Sequence, residues 1–481
     1  MHILAQSRAA TAHTLLAAVL LSLSACGGGG SSSIDGSNMS TNPQVAAVAA
    51  VVSKNGNKNP SVNTPMISVQ PVTVVNTTTE GDQVFRNLSP LDNSGYTVAW
   101  LSGSDKVFIQ RFDSAGMKTG AETQLQLNIE GVSESLRANA IRRSSVAVLR
   151  DGSVVVSYSL TRPANLSGTG VLSYKNGAYV QRFNANGMLV MPETEIFSQT
   201  FVPNYRSPGL DLVRSIALAD GGFVVGWEQK YPSSVTIRNT FSVRRYGSSG
   251  QAIGPAVPVG TPMSPGADAE TYALMPDVTG GYVVSTSQKN EDYTPFSTLT
   301  YFDTTNTPQP ISLPNGTTDA RLLPLESRRF VLFGQGPLGA YRQFLDLLGA
   351  PVGPQTPIPG GLPGTTLELI NGSYVTFTSS ASAISAQRFD SEGVTIGESV
   401  LISTQGAAFS AAAISEGGFA GAWTGPSALS GTDVFAQRFL IALDPVESGI
   451  KAKRKACKES AGSQGLKGQA LKQFIDVCQQ S

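Results

Sequence analysis

One motif recurs seven times along the chain and limits the folds that the chain can adopt. Six of the seven copies have a glycine-containing turn followed by β-branched and aromatic residues, as in Asp220-Gly221-Gly222-Phe223-Val224-Val225-Gly226-Trp227, and the fifth begins at Arg329-Phe330. Such a run after a turn predicts a short β-strand. The first strand residues of the seven copies lie 44 to 69 residues apart and are Tyr96, Val154, Phe223, Tyr282, Phe330, Tyr374 and Phe419.

The second half of each copy predicts a hairpin. A strand carrying Gln-Arg-Phe appears at 110–112, 181–183, 387–389 and 437–439, with variants in the other copies. A turn follows, as in Asp390-Ser391-Glu392-Gly393, whose first side chain can cap it and whose last residue must take positive φ. A further glycine, such as Gly397, precedes the final strand of several copies.

Each copy therefore predicts about four short antiparallel strands, a sheet with two apolar faces. One such sheet cannot bury both faces alone, whereas seven sheets stacked radially can do so. The period near 45 residues in the tighter copies is typical of a propeller blade. We predict an all-β fold: a seven-bladed β-propeller of four-stranded antiparallel blades over residues 66–445.

The two ends of the repeat region predict that the ring closes. The seventh copy has its Gln437-Arg438-Phe439 strand, but no outer-strand pattern follows it. The segment Val72–Thr77, ahead of the first copy, looks like an unpaired outer strand. We expect it to pair with blade seven, because an open array would leave two exposed sheet edges.

These motifs resemble a family. Repeats of the type Gly-Gly-Phe-Val-Val-x-Trp, followed by Gln-Arg-Phe-Asp-x-x-Gly, are similar to those of many bacterial exported and surface proteins, some of which carry calcium-binding repeats. The resemblance covers roughly residues 66–445 and implies a propeller without indicating its ligand. No Asp-rich calcium nonapeptide array is present in this sequence.

The N-terminus predicts export and lipid anchoring. Residues 1–25 combine Arg8, a short apolar run at 15–21 and small residues, as a signal peptide does. The sequence Leu23-Ser24-Ala25-Cys26 resembles a lipobox, which implies lipidation at Cys26; an ordinary signal peptide with a chance cysteine is the alternative. Residues 26–65 predict a flexible tether, and Gly27 favours the outer membrane, with the periplasmic face and the cell surface both open.

The C-terminal segment, residues 446–481, predicts a small helical hairpin. Residues 451–481 contain seven lysines and arginines against Glu459 and Asp476, a local net charge of +5. Cys457 and Cys478 are the only cysteines after Cys26, so an oxidising compartment predicts a disulfide between them. The segment resembles the PsiF-type repeat through Cys457, Ala461, Leu466-Lys467-Gly468, Phe474 and Cys478. The basic run at 451–455 is either a solvated helix face or a contact for anionic lipid.

Composition excludes several kinds of chemistry. The two histidines, His2 and His13, both precede the expected cleavage site, which leaves no Ser-His-Asp, Cys-His or imidazole-dependent metal chemistry. Lysine plus arginine and aspartate plus glutamate number 34 each, so charge gives no case for nucleic-acid binding. We expect no catalytic residue, metal or cofactor.

Features shared by most blades predict a framework role, so we expect the arginines of the Gln-Arg-Phe strands and the three tryptophans to hold blades together. Function in repeat folds lies in departures from the repeat. These departures are residues 159–177, 229–240 and 289–295, all in blades two to four, and could line one sector of one face. The candidate binding residues there are Arg162, Tyr174, Lys175, Lys230, Tyr231, Arg238, Glu291, Asp292 and Tyr293.

Two functions remain open at this point. The first is a cell-envelope lipoprotein that binds an envelope protein or glycan without catalysis, anchored to outer-membrane lipid through its N-terminal acyl group. The second is a glycan-active hydrolase or lyase using carboxylates in the central funnel, a role in which Glu291 and Asp292 could serve. The enzyme hypothesis predicts two carboxylates roughly 5–10 Å apart in that funnel.

Overall fold

The computed structural model describes most of residues 66–441 and six residues near the C-terminus. The six are Cys457, Lys458, Ser460, Ala461, Phe474 and Cys478. The internal gaps are 69–70, 79–80, 104, 166–171, 203–208, 233–236, 260–270, 278, 290–294, 315, 326–328, 347–348, 360, 370–371, 381–382, 415–417 and 429–430. The expected signal peptide (1–25) and tether (26–65) lie outside the described residues.

The described chain forms seven antiparallel sheets, which confirms the seven-bladed propeller. Blades one to three are β3 (Gln83–Pro90), β4 (Tyr96–Ser102), β5 (Lys106–Phe112), β6 (Lys118–Leu125); β7 (Ser145–Val148), β8 (Val154–Asn165), β9 (Leu172–Phe183), β10 (Leu189–Phe201); and β11 (Gly209–Ala217), β12 (Phe223–Pro232), β13 (Ile237–Tyr246), β14 (Ala252–Val259). Blades four to six are β15 (Thr271–Pro276), β16 (Tyr282–Lys289), β17 (Pro295–Phe302), β18 (Pro308–Ile311); β19 (Thr318–Pro324), β20 (Phe330–Gly336), β21 (Gly339–Leu345), β22 (Pro351–Pro357); and β23 (Thr365–Glu368), β24 (Tyr374–Ser380), β25 (Ala383–Phe389), β26 (Thr395–Ser403). Blade seven contains β27 (Ala407–Ala413), β28 (Phe419–Pro426) and β29 (Thr432–Ile441), completed by β1 (Met66–Ser68) and β2 (Thr73–Val74).

The repeated residues begin and end the central strands of each blade. The seven predicted first residues each open the second strand of a blade. In several blades this residue stacks on the aromatic that closes the third strand, as Tyr96 does on Phe112 with 4.7 Å between ring centroids. Phe223–Tyr246 and Tyr282–Phe302 repeat that distance. The motif is therefore a stacked pair of rings that fixes the register of the two central strands.

The turn after the third strand is held by hydrogen bonds involving its own side chains. In blade six, Asp390 Oδ1 accepts a hydrogen bond from Val394 N at 2.7 Å, and Gly393 takes φ +83°. A β-bulge follows at Gly397, whose φ is +65°. Gln387 Nε2 donates to Gly397 O at 3.2 Å, so the glutamine of the Gln-Arg-Phe motif pairs the carbonyl that the bulge leaves out of the ladder.

The N-terminal segment closes the ring, as the sequence predicted. β1 pairs with β29 from Met66↔Ile441 to Ser68↔Phe439, and β2 pairs with it at Thr73↔Ala436 and Val74↔Phe435. Asn76 then donates to Asp433 Oδ1 and accepts from Val434 N, both at 2.8 Å. The prediction named only Val72–Thr77, and the structure adds the Met66–Ser68 strand ahead of it.

The core lies between the blades. Trp100 packs with residues of blades seven and one, Trp227 with blades two and three, and Trp423 with blades six and seven. All three indoles are at most 2% exposed. This confirms the framework role expected for the tryptophans.

One helix lies within the described part of the propeller and was not predicted. α1 (Glu134–Arg142) connects blade one to blade two, and Ser133 caps it by accepting a hydrogen bond from Leu136 N. Ala140 and Ile141 are buried in the cluster between these blades. The helix escaped prediction because its sequence is polar, with only these two side chains anchoring it.

The propeller has two distinct faces. Because the strand order is the same in every blade, the connections between second and third strands share one face with α1, which we call the hairpin face. The turns between third and fourth strands lie on the opposite face, which we call the turn face. Met66 pairs with Ile441 at the end of β29 that adjoins the turn face, so the propeller chain both enters and leaves there.

The C-terminal segment contains the predicted disulfide. Cys457 and Cys478 are bonded, with Cα atoms 5.8 Å apart and a sequence separation of 21 residues. The six described residues near the C-terminus are helical where the helical hairpin was expected, and the remaining residues of that prediction lie outside the described part. No described helix has the length and apolar character needed to span a bilayer.

Candidate functional site

The largest departure from the repeat is a long hairpin in blade two. β8 and β9 each have 12 residues, whereas β4 and β5 of blade one have seven. The five extra residues of each strand continue the ladder from Thr161↔Asn176 to Asn165↔Leu172, and β10 pairs alongside as far as Phe201. Five extra residues extend a strand by about 16 Å. We call residues 159–165, 172–178 and 194–201 the flap.

An ion-pair network joins the base of the flap to the blade. Arg162 Nη2 lies 2.5 Å from Glu193 Oε1, and its guanidinium stacks over the Tyr179 ring at 4.6 Å. Tyr158 donates its hydroxyl to Glu193 Oε2 at 2.5 Å and accepts from Gln181 Nε2 at 2.7 Å. Burial, and then the hydrogen bond to Glu193, raises the pKa of Tyr158. The phenol therefore stays protonated and serves as a fixed donor.

The upper part of the flap has a second set of contacts. Lys175 Nζ lies 2.5 Å from Glu195 Oε2, and Ser198 donates to Glu195 Oε1 at 2.6 Å. The hydrogen bond to Glu195 raises the pKa of Lys175. Tyr174 stacks on Phe201 with ring centroids 6.1 Å apart. The flap is thus held by charge pairs and an aromatic stack across three strands.

The structure brings three predicted residues together, namely Arg162, Tyr174 and Lys175. Their partners Glu193, Glu195 and Phe201 on β10 were not predicted. The alternation Glu193-x-Glu195 was a visible signal, because residues two apart in a strand lie on one face. Its pairing with β9 depends on a register with three bulges, which composition does not indicate.

The other predicted candidates are described only in part or lie outside the description. The backbones of Lys230, Tyr231 and Arg238 belong to the extended hairpin of β12 and β13, where Lys230 pairs with Asn239 and Tyr231 with Arg238. Their side chains lie outside the description, as do Glu291, Asp292 and Tyr293 altogether. The described strand ends that flank these segments, on β12, β13, β16 and β17, lie at the hairpin face.

The arginines of the Gln-Arg-Phe strands join neighbouring blades. Arg245 is fully buried, with Nη2 2.5 Å from Asp220 Oδ2, and it donates to the carbonyl of Asp303 in the next blade. Arg182 contacts Asp151 at 3.2 Å and donates to the carbonyl of Ser248 in the next blade. The framework interpretation is confirmed for these residues.

The first strand of each blade is the inner strand, nearest the central channel, and the described inner strands carry arginines and few carboxylates. Burial lowers the pKa of Arg86 and Arg214. Arg86 Nη2 donates to Arg142 O at 3.0 Å, and Arg321 Nη1 donates to Pro363 O at 2.7 Å, each in the segment leading to the next blade. The described inner strands therefore use guanidinium groups to join blades near the axis.

Two carboxylate side chains are described on the inner strands. Asp319 lies near the hairpin-face end of β19, whereas Glu368 pairs with Tyr374 at the turn-face end of β23. Asp319 and Glu368 therefore lie four or five residues apart along the strand direction, which corresponds to about 15 Å. Among the described residues, no group of three or more His, Cys, Asp or Glu side chains could hold a metal ion.

Neither protein-family models nor curated proteins give a match to the chain. Solved structures with a similar fold include a protein of unknown function from Dyadobacter fermentans (11% identity, TM-score 0.41, covering 62% of this chain and 94% of that one). A second is prolyl oligopeptidase B from Galerina marginata (10% identity, TM-score 0.40, covering 73% of this chain and 47% of that one). A third is dipeptidyl peptidase 4 from Porphyromonas gingivalis (12% identity, TM-score 0.38, covering 76% of this chain and 61% of that one). The chain spans about half the length of the oligopeptidase. At these values the similarity concerns the fold alone.

Proposed function

We propose that the protein is a cell-envelope lipoprotein whose propeller binds a protein partner through the hairpin face, without catalysis. The observation that carries this proposal is the flap, an ordered three-stranded extension about 16 Å long that the other described blades do not match. An extension of this size is not needed to close or fill the propeller. Its function therefore lies in what it presents.

The shape of the flap favours a protein over a small glycan. Small ligands bind in concave sites that bury most of their surface, and the flap projects from the blade instead. Its outer strand, β10, leaves an exposed edge, and its stacked Tyr174 and Phe201 are half-buried. A projecting edge with ordered aromatic side chains suits a partner that pairs or packs alongside it.

The internal ion pairs prepare the flap for binding. Arg162 pairs with Glu193 at the base of the flap and Lys175 pairs with Glu195 within it, so its strands are held in place before a partner binds. A preorganised surface loses less conformational entropy on binding than a mobile one. The charged candidates therefore act mainly as supports, with the aromatic side chains and the strand edge as the contact surface.

The envelope location in this proposal rests on the sequence alone. The lipobox at Cys26 implies a diacyl anchor, and the PsiF-type resemblance of the C-terminal segment implies a periplasmic module. The disulfide between Cys457 and Cys478 supports an oxidising compartment. The alternative, a glycan-active enzyme, gains no support from the two carboxylate side chains described on the inner strands, which lie at opposite ends of the channel. The side chains of Asp211, Glu291 and Asp292 lie outside the description.

Site-specific photo-crosslinking in cells tests the proposal. A photoreactive residue at Thr200, which is exposed on β10 within the flap, is expected to capture one envelope protein, identified by mass spectrometry. The matched control carries the same residue at Gln309, exposed on the outer strand of blade four. Capture of a defined protein from Thr200 alone supports the proposal. Equal capture from both positions, or capture of glycan only, would contradict it.

A further inference from the structure

On the described part of the turn face, the most exposed apolar side chains lie in one sector, and Val352 of the adjoining blade five is 41% exposed at its edge. The residue that follows the turn glycine is Met117 in blade one, Met188 in blade two and Val394 in blade six, and these are 58%, 60% and 59% exposed. The same position in blades three, four and five holds Gln251, Thr307 and Ala350. Isolated exposed apolar residues are ordinary, but the same position repeated in neighbouring blades is a pattern.

The apolar sector surrounds the blade where the chain enters and leaves. Blade seven lies between blades six and one, and a hydrogen bond from Phe85 N to Thr424 Oγ1 at 2.9 Å joins it to blade one. Blades six, seven, one and two are therefore consecutive around the ring. Blade seven has no turn of this kind, because its outer strand comes from the N-terminal segment.

We call Met117, Met188 and Val394 the apolar tips, and hydrogen bonds within their own turns keep their backbone in place. Asp113 Oδ1 accepts a hydrogen bond from Met117 N at 2.8 Å, and Asp390 Oδ1 accepts from Val394 N at 2.7 Å. In blade two Asn184 does the same for Met188 N at 3.0 Å. In that blade Leu189 and Val190 extend the exposed surface, at 39% and 55% exposure. These side chains are fixed in exposed positions by ordered backbone, and no described residue covers them.

We propose that this sector of the turn face lies against the phospholipid leaflet that holds the Cys26 anchor. Both chain segments that could reach a membrane leave from this face: the N-terminal segment at Met66, and the C-terminal segment after Ile441. The latter carries the net charge of +5 at residues 451–481, which favours anionic headgroups. The turn face thus carries the exposed apolar side chains and the described ends of the two chain segments whose sequences contain the expected acyl anchor and the basic residues.

The apolar tips determine which face of the propeller lies against the bilayer, because the tether alone does not. A flexible segment of about 40 residues has an end-to-end distance of roughly 35 Å, which allows either face to approach the bilayer. Methionine and valine side chains at the level of the headgroups gain free energy from leaving water. With the turn face on the membrane, the flap on the hairpin face points away from it, toward a partner.

Quenching by brominated lipids tests the orientation. The acylated protein is purified and placed in vesicles of phosphatidylethanolamine and phosphatidylglycerol that contain bromine-labelled acyl chains. Tryptophan is introduced singly as Met117→Trp or Val394→Trp, and as the controls Thr307→Trp on the opposite sector and Leu338→Trp, which is fully exposed on the hairpin face. We expect the added fluorescence to be lost for the first two variants and kept for both controls. The native tryptophans are buried and supply the same background in every variant.

The inference rests on the lipid anchor of the proposed function, and the experiment separates the two. Mass spectrometry of the purified chain shows whether Cys26 is acylated. An unmodified cysteine removes the anchor and this inference with it, while the binding role of the flap stands. An acylated chain in which the turn tips are not quenched, or in which Leu338→Trp is quenched instead, overturns the orientation alone.

Discussion

At the scale of single residues, the repeated arginine is held by an aspartate in the turn that opens the second strand. Arg245 is fully buried, whereas Asp220 is 40% exposed and also accepts from Gly222 N at 3.0 Å. Arg182 has a similar partner in Asp151, but it additionally donates to Ser153 Oγ. Blades two and three therefore share the arginine–aspartate contact, but the arginine has more hydrogen-bond partners in blade two.

We expect Asp220→Ala to be more destabilising than Asp151→Ala. Loss of Asp220 leaves a buried guanidinium with few partners, which costs roughly 3 kcal/mol of unfolding free energy. Arg182 keeps Ser153 and the Ser248 carbonyl, so Asp151→Ala is the matched control with a smaller loss. Urea unfolding of the three proteins measures the difference. Equal losses would show that the Asp220 pair does not hold the buried charge.

The sequence predicted the arginines as framework, but it did not identify their partners. The turn capped by Asp390 was predictable because each of its contacts lies within four residues. The contact from Arg245 to Asp303 O spans 58 residues and depends on the packing of one blade on the next. Contacts of this second kind follow only once the propeller geometry is known.

At the scale of elements, the two main departures from the repeat are the closing segment and the flap. Closure was predictable because a missing outer strand in blade seven matched an unpaired strand ahead of blade one. The flap was predictable only as an insertion, since its third strand is aligned through bulges. The helix α1 was missed because its polar sequence carries no clear apolar periodicity.

Asn76→Ala is expected to weaken ring closure. Its amide bridges Asp433 and Val434 N inside blade seven, and Asn76 is 4% exposed. The variant loses three hydrogen bonds, the third being to Thr78 O, and leaves a buried carboxylate without this donor, which together cost about 2–3 kcal/mol. Thr73→Ala serves as control, because its hydroxyl makes only one long contact, 3.5 Å to Pro71 O. Calorimetry should show a clear fall in Tm for the first variant, and an unchanged Tm would contradict a clasp at Asn76.

Glu193→Gln is expected to loosen the flap without unfolding the propeller. Glu193 accepts from both Arg162 and Tyr158 in a half-buried position, so its neutralisation leaves Arg162 without its ion pair. Hydrogen exchange should rise in residues 159–178 and stay unchanged in blades four to six. Glu195→Gln removes a more exposed pair and should have a smaller effect. Equal exchange in both variants would argue against the network at Glu193 as the support of the flap.

At the scale of the whole molecule, buried tyrosines should make stability fall at the alkaline end of the pH range. Burial raises the pKa of Tyr96, Tyr158 and Tyr282, and raises that of Tyr374 to about 12. The folded state keeps these protons where the unfolded chain loses them, above about pH 10. The stabilisation is therefore fully present below that pH and is lost as the pH rises further.

Histidine contributes nothing between pH 5 and 8, because the sequence has none after His13. The urea midpoint is expected to stay level from pH 6 to 9 and to fall above about pH 10. Tyrosinate absorbance should then rise together with unfolding rather than before it. Early ionisation of most tyrosines in the folded protein would contradict their burial between the blades.

The N-terminal segment closes the ring of seven blades, and a pair of introduced cysteines probes this closure at the strand ladder itself. Thr73 and Ala436 are opposite each other in the ladder between β2 and β29, at a separation suited to a disulfide. Thr73→Cys with Ala436→Cys should crosslink on oxidation and raise the Tm, whereas Thr73→Cys with Thr356→Cys in blade five should not. Failure of the first pair to crosslink, or crosslinking of the second, would contradict closure at blade seven.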